Sequence, residues 1–488
     1  MATSVSPIVD ATGTPFVREV RPSMAPRPIR ASYDAARTDL EIANHWAHAD
    51  SLDADSSNSK AVRKTLVSRS RYEVANNGYT DGIVQTFATD LIGGGPKLKI
   101  GNSEFDQMVE KDFAKWAKET KLRRKLWTMA HAKVQDGEAF SIARLNPRMK
   151  HAVKLDLVLI ETEQCSSPML PYAVEGHIDG IAFDPFGNAI WYDILKYHPG
   201  GRWFAGANTE AESIPAKFVA HWFLMRRPGQ NRAVPEFRST LNTGASARRW
   251  REATLGAAET AADISVLLST TLNPNEIDAA DPMSTIEFQK RMMTALPMGY
   301  SATQMRSEHP NATYETFHKS LVNEQARPKS MPYNKAACDS SSYNYASGRL
   351  DHQTYYASLD VEREDCSDLV LDKLFDLYWE EAVYANEWYT LGADPKDPPE
   401  HSWDWPKHPV ADVTSEASAA DTRLKNGSLS LSSHYSEQGL DFAEEIIRMA
   451  ADYGVTVERM REVLLFANLN AQNQQASIEQ AKQGARNK

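Results

Sequence analysis

The stretch Ala346 to Ala385 limits how this chain can fold more than any other. Tyr356, Leu359, Cys366, Val370, Leu374 and Leu377 recur along it at helical spacing. About 40 residues at about 1.5 Å rise would reach about 60 Å if unbroken, so a bend is expected within it. Just before it lies Ser330-Met-Pro-Tyr-Asn-Lys-Ala-Ala-Cys-Asp-Ser-Ser-Ser-Tyr-Asn-Tyr-Ala-Ser-Gly-Arg349, polar and rich in small residues. A shorter helical pattern, Tyr314 to Gln325, precedes that segment. The spacing therefore predicts a loop placed where the long helix points.

The rest of the chain divides by period. Residues 1 to about 30 hold scattered prolines and arginines without a period, which predicts a disordered or extended arm. A short helix is expected over Tyr33–Ala49, and helices over Lys60–Asn77, around Ile83, Phe87 and Leu91, around Phe105–Trp116, and over Leu122–Asp136. Strands are expected at Phe140–Leu145, Val153–Glu161 and Phe218–Leu224. Ile178–Phe183 and Ala189–Leu195 around Asp184-Pro-Phe-Gly-Asn188 form a hairpin signal. Phe237–Leu268 reads as helix-rich. Pro274, Pro282, Pro297 and Pro310 then exclude a continuous helix over Asn273–Pro310, which predicts a small inserted unit. Trp403-Asp-Trp-Pro406 sits in a proline-rich linker, and further helices follow to about Asn468 before a frayed tail.

Composition excludes several classes. No run of about 18 apolar residues occurs, so no membrane-spanning segment is expected. The opening Met-Ala-Thr-Ser-Val-Ser-Pro lacks a basic region followed by an apolar one, so no secretory leader is expected. Cys165, Cys338 and Cys366 are widely separated, without metal spacing, which fits a reducing compartment. The net charge of -11 is unlike that of a protein that grips nucleic acid by counterion release.

Motifs for catalysis are sparse. The chain has no GxSxG, HExxH, Walker loop or CxxC. Gly93-Gly-Gly95-Pro-Lys97 resembles a phosphate cradle in composition, but it follows a helical pattern and reads as a helix stop. His45 and His48 lie three apart without a third metal ligand, and read as surface histidines. Three basic groups stand out: Lys60, Arg63, Lys64, Arg69 and Arg71; Lys121, Arg123, Arg124 and Lys125; and Arg248, Arg249 and Arg251. Interspersed acids such as Glu252 favour ion pairs or solvated faces over phosphate contacts.

The order of elements resembles that of the lambda-type family of tailed-phage portal proteins. Arg69-Ser-Arg71 with Asn76-Asn-Gly78 and Ile92-Gly-Gly-Gly95, then Asp136-Gly-Glu138-Ala-Phe140, are similar to the family's N-terminal signatures. The hairpin with Gly187 and Trp191-Tyr192, then His221 and Arg226-Arg-Pro-Gly-Gln-Asn-Arg-Ala-Val-Pro235, match later segments. Asn344-Tyr-Ala-Ser-Gly-Arg349 resembles an Asn-Tyr-Ser-Ser-x-Arg motif, and Asp412–Gly427 with Ser436–Asp441 resembles the C-terminal stretch. Ala233 stands where family members usually carry Gly and Ala346 where they carry Ser, and Ser330–Ser342 departs from the usual sequence.

The resemblance implies a mostly helical α+β portal fold and a non-enzymatic ring, usually of twelve subunits, at one capsid vertex of a virion assembled in the host cytoplasm. It implies no cofactor and no metal. Its parts would be an arm (1–30), a mixed α/β wing (31–235), a stem helix (236–271), a clip (272–312), a second stem helix (313–327), a tunnel loop (328–347), a long helix with the rest of the wing (348–410) and a crown (411–488). Double-stranded DNA would pass through the centre. The partners implied are the terminase large subunit, a head-completion or adaptor protein and the major capsid protein, with no membrane.

On that reading Asn334, Lys335, Ser340, Ser341, Ser342, Tyr343 and Asn344 would face DNA at the constriction. Arg248, Arg249, Glu252 and Glu259 would form the channel face of the stem. An acidic chain suits a conduit, because many simultaneous phosphate contacts would hold the duplex rather than let it slide. Trp203, Trp250 and Trp388 are expected to be partly buried between subunits. The rival readings are a capsid-associated scaffold or adaptor that never touches DNA, and a hydrolase built around His131 and Asp136.

Overall fold

The computed structural model describes residues 46–101, 103–167, 176–201, 210–262, 266–270, 300–304, 314–341, 343–409, 413–438, 440 and 442–464. The arm, most of the clip, Trp203, Ser342 and the tail lie outside the described residues. Residues 1–53 form one unit and 54–488 another. Of the first, Trp46–Ala49 closes a turn, with Ala49 N–H donating to the Trp46 carbonyl at 3.0 Å.

The second unit opens with α1 (Ala54–Ser57), α2 (Lys60–Asn76) and α3 (Gly78–Ile92). Asn77 separates the last two in extended backbone, its side chain accepting from Tyr79 N–H. Ile83, Val84, Phe87, Ala88, Leu91 and Ile92 are buried, so α3 is the central helix of the core. After the short strand β1 (Lys97–Lys99), α4 (Glu104–Glu119) starts at a capping box in which Ser103 and Asp106 bond each other's backbone N–H. The next helix, α5 (Leu122–Asp136), ends at Gly137 with φ +96°. A Cβ there would stand 2.2 Å from the Val234 carbonyl carbon, so only glycine fits.

Strands follow α5. The antiparallel sheet β3–β2–β8 joins β2 (Glu138–Leu145), β3 (Leu155–Ile160) and β8 (Val219–Phe223), with Phe140 opposite both Ile160 and His221. A four-stranded meander holds β4 (His177–Ile178), β5 (Ile181–Phe183), β6 (Ala189–Leu195) and β7 (Ala211–Pro215). A second small core of Phe140, Ile142, Ile194 and Val219 joins the two sheets.

Next, α6 (Leu241–Ala262) is followed by β9 (Val266–Thr270), which pairs antiparallel with β10 (Tyr300–Gln304). The helix expected to reach Leu268 therefore stops six residues earlier by the observed bounds. The short run Val-Leu-Leu-Ser-Thr satisfies its backbone across a strand pair instead. Beside α6 packs α7 (Tyr314–Ala326), where Trp250 stacks on Tyr314 at 4.8 Å and meets Phe317 edge-on at 4.9 Å. Trp250 thus spends much of its surface within one subunit.

A helical turn α8 (Tyr333–Ala336) leads to α9 (Tyr345–Cys366), a π turn at Ser367–Leu371, and α10 (Asp372–Ala385). The α-helical hydrogen bonding is interrupted at that π turn, where Ser367 Oγ donates to the Arg363 carbonyl and accepts from the Trp405 indole N–H at 3.1 Å. Phe113, Trp116, Phe375, Tyr378 and Trp403 pack as an aromatic knot between α4 and α10, with ring centroids 5.0 to 6.4 Å apart across the measured pairs. Trp388 belongs to the same region: it is 4 % exposed and packs on Phe105 and Trp379, so it is core rather than a subunit contact. A last strand, β11 (Ser402–Asp404), pairs with β1. The C-terminal helices α11 (Val413–Lys425), α12 (Leu431–Glu437), α13 (Phe442–Asp452) and the helical run 457–464 carry their own small core of Ile446, Ala450 and Met460.

Candidate functional site

The segment between α7 and α9 is more folded than its composition suggests. Arg327–Lys329 continue α7 as a 3-10 turn, and Ser330 reverses the chain at φ +52°. Met331 is buried and Pro332 starts α8, so the segment is anchored as far as Ala336. Asn344 then caps α9 by accepting from Ser347 N–H at 2.8 Å. Cys338, Ser340, Ser341 and Asn344 remain exposed, and Tyr343 is half-buried.

Lys335 does not hang free from this loop. Its ammonium lies 2.7 Å from Asp90 Oδ2 on α3 and sits over the rings of Tyr355 and Tyr356. The Tyr355 hydroxyl donates to the same Asp90 oxygen at 3.1 Å. Asn334 bonds His352 on α9 at 2.9 Å. Burial and the neighbouring Lys335 lower the His352 pKa, which favours the neutral ring. Asp90, Tyr355 and His352 therefore position the loop, and no local sequence pattern marked them.

The expected stem face divides. Arg248 turns to α2, pairing with Glu73 at 2.8 Å over the ring of Tyr72. Arg249, Glu252 and Glu259 are exposed on α6. Arg251 donates to Asn77 at 3.0 Å and lies over Tyr79. The third basic group is thus largely used to bind α6 to α2 and the start of α3.

Beneath these elements lies a closed ring of buried charges. Lys133 of α5 meets Glu236 at 2.8 Å and Glu362 of α9 at 2.5 Å. Lys329, at the end of α7, meets the other oxygens of the same two carboxylates at 2.6 and 2.7 Å. Each lysine bridges both acids and each acid bridges both lysines, so every charge has two opposite neighbours. Burial opposes the charge on Lys133, but the two carboxylates overcome it and raise its pKa. Burial likewise opposes ionisation of Glu236, but Lys133 and Lys329 hold its carboxyl well below the usual range. The sequence carried one faint sign of this ring: Lys133 falls on the apolar face of α5, with Leu126, Met129 and Ala130.

Two members of the first basic group, Arg63 and Arg71, also turn inward, while Lys60, Lys64 and Arg69 are exposed. Arg63 pairs with Asp179, and Arg71 forks onto Asp136 at 2.7 and 2.9 Å. Arg232 forks onto Glu138, which also takes hydrogen bonds from Ala233 N–H and the His221 ring. Burial opposes the charge of Glu138, but Arg232 and His221 outweigh it and keep its pKa well below normal. Asp136-Gly-Glu138 and Arg226–Pro235, picked out as separate signatures, are one interlocked structure. Asp136 is committed to Arg71, and the His131 ring lies tilted against Trp127 at 5.4 Å. Glu161, Glu163 and His198 converge within metal-ligand reach, but the Arg71 guanidinium already bridges both carboxylates at 3.1 and 2.8 Å.

These features describe a mostly helical α+β protein in which buried ionic clusters tie a helix pair to a long helix broken by a π turn. The chain belongs to the lambda family of phage portal proteins: the family model described as "Phage portal protein, lambda family" matches residues 42–363. The chain is 22% identical over 322 residues to a probable portal protein of Halomonas phage phiHAP-1, covering 60% of this chain and 62% of that relative's length. Solved structures with a similar chain include the neck of an empty gene transfer agent particle, at TM-score 0.45 and 14% identity. That match covers 77% of this chain and 93% of the other. The neck of the native particle, computed with C12 symmetry, gives TM-score 0.42 and 15% identity over the same shares. Among the described residues, no helix is long and apolar enough to cross a membrane.

Proposed function

We propose that this chain forms the portal ring of a virion, with about twelve copies around a channel through which double-stranded DNA is packaged and later ejected. Family membership over 42–363 is the observation that carries this reading. The net charge of -11 supports it, because a like-charged wall lets phosphates pass instead of holding them. The described loop supports it too: Ser340, Ser341 and Asn344 are exposed, small or polar, and uncharged. Lys335 is restrained by Asp90, so it meets passing DNA as part of a fixed pair rather than as a flexible hook. The terminase large subunit would dock first on the segment between α6 and α7, followed by a head-completion adaptor, and the major capsid protein would surround the wing. Assembly would take place in the host cytoplasm. A packaging reaction in extracts lacking this chain tests the reading. Proheads should stay free of DNA until purified chain is supplied during assembly, and DNA-filled heads made without it would contradict the proposal.

A further inference from the structure

A groove of about 560 Å³ lies between α4, the start of α5 and the C-terminal helices, away from the loop and stem just described. It is lined by the buried Leu98, Phe113 and Leu126 and by the exposed Lys111, Lys118, Arg123 and Arg461, with Glu444 the exposed acid among them. The glycine triplet at its edge has a definite part. Gly95 has φ +93°, and a Cβ there would stand 3.1 Å from Arg123 Cγ, so glycine lets the arginine stem lie on the loop. The Arg123 guanidinium donates to the Gly93 carbonyl at 3.2 Å, which fixes the side chain at the groove.

Most acids of α4 bond to the protein itself, although Glu104 and Glu119 are exposed like the lysines of the helix. Glu110 accepts from Ile100 N–H at 2.8 Å and from Lys99 at 3.1 Å. Asp112 accepts from the Tyr378 hydroxyl at 2.7 Å and from Asn386 at 3.0 Å. Glu119 accepts from the backbone N–H groups of Lys150 and His151. Lys111, Lys115 and Lys118 are exposed, and Lys121 and Arg124 extend the exposed basic row past the α4–α5 turn. Of the five acids of α4, Glu110, Asp112 and Glu119 accept from the rest of the protein, Asp106 closes the capping box and Glu104 is exposed, while the three lysines face solvent.

We propose that this face binds double-stranded DNA through its phosphates, outside the channel. The chemistry stands on the exposed basic row alone; the identification of the DNA as the packaged genome rests on the portal reading. Lys111 to Lys118 covers about 10 Å of helix axis, or about three base-pair rises of 3.4 Å, so the row matches a backbone rather than a single phosphate. The apolar residues of the groove are buried and the basic ones exposed, which suits a charged cylinder resting on the basic residues better than a protein surface filling the groove. A chain acidic overall but cationic here would orient DNA toward this face and away from the rest of its surface. Such binding is weak and salt-dependent, as suits a genome that must leave.

The test uses the full-length chain and two forms of DNA. A covalently closed relaxed circle cannot thread a closed ring, so its binding reports outer surfaces only; linear duplex of the same sequence reports both routes. At 50 mM salt the wild-type chain should retain the circle, and Lys111→Ala/Lys115→Ala/Lys118→Ala should weaken that binding at least tenfold. The slope of log K against log salt should fall by about 3. Lys121→Gln/Arg124→Gln, at the other end of the row, should weaken it less, with a slope change of about 2. Particle mass for each variant tells apart failure of the inference from failure of the ring reading. A ring that ignores the circle, or a triple variant that binds it as wild type does, overturns the inference while leaving the ring intact. Loss of the ring in both variants overturns it too, since the face would then be a subunit contact. A non-ring chain whose circle binding still falls in the triple variant supports the inference and sinks the portal reading.

Discussion

Lys329 Nζ lies 2.6 Å from Glu236 Oε2, and this pair joins the end of α7 to the segment that leads into α6. The same ammonium sits over the Phe87 ring at 3.8 Å, so the junction rests directly on the central helix α3. Through Glu362 and Lys133 it continues into α9 and α5. The α6–α7 pair is therefore tied to the long helix by paired charges as well as by the apolar packing of Phe237, Leu241, Val322 and Ala326 in the same core.

Removing Lys329 leaves two buried carboxylates sharing one lysine. Lys329→Met should cost about 3–5 kcal/mol, the scale for breaking a buried pair. Replacing all four groups with apolar residues of similar volume should restore much of that loss, since burying paired charge is itself costly. Chemical denaturation of the single and quadruple variants checks this. A single variant within about 0.5 kcal/mol of wild type would contradict the ring's structural role.

Gly137→Ala should prevent folding or cost more than about 3 kcal/mol. The added Cβ meets backbone rather than a side chain that can move aside, and φ is positive as well. Soluble expression and thermal melting read the outcome. A variant that melts like wild type would mean that the Gly137–Val234 approach is not as close as described.

Lys335→Glu places a carboxylate against Asp90 and should impair packaging or retention of DNA while leaving assembly intact. The swapped pair Lys335→Asp/Asp90→Lys separates two causes. If DNA senses the lysine at its own position, the swap stays defective. If the contact only braces the loop, the swap recovers. Packaging at wild-type level by Lys335→Glu itself would remove this lysine from the mechanism.

Acid should weaken the fold in two steps. Burial lowers the His221 pKa in the folded chain, so the unfolded chain binds more protons just below its ordinary value of about 6.5. This contribution is complete above about pH 6.5 and is lost as pH falls through that window. Glu138 and Glu236, both held low, add a further loss below about 4.3, where unfolded carboxyls take up protons. Melting temperature should fall from pH 7.5 to 5.5 and more steeply below 4.5, with the first step reduced in His221→Gln. A melting temperature that rises between pH 7.5 and 5.5 would contradict this.

What the sequence made legible was local. Gly93 ended the helix it was expected to end, and the turn at Gly187 sat inside a hairpin. The polar loop kept its boundaries less well, because Lys335 is fixed by a residue 245 positions away. The same limit applied to Lys133: one charge on an apolar face points to a partner but cannot name two glutamates from distant segments. Trp388 looked exposed because its neighbours in sequence are polar, yet Phe105 and Trp379 close over it. The α4 face was hidden for a further reason: formal charge counts acids and lysines alike, and only their hydrogen bonds show which acids bond to the protein itself.

Imaging of the purified full-length chain by electron microscopy tests the central claim most directly. The account predicts closed rings, about twelve subunits around, with a central hole wide enough for a DNA duplex. A uniform population of monomers at high concentration, or closed particles without a hole, would contradict it.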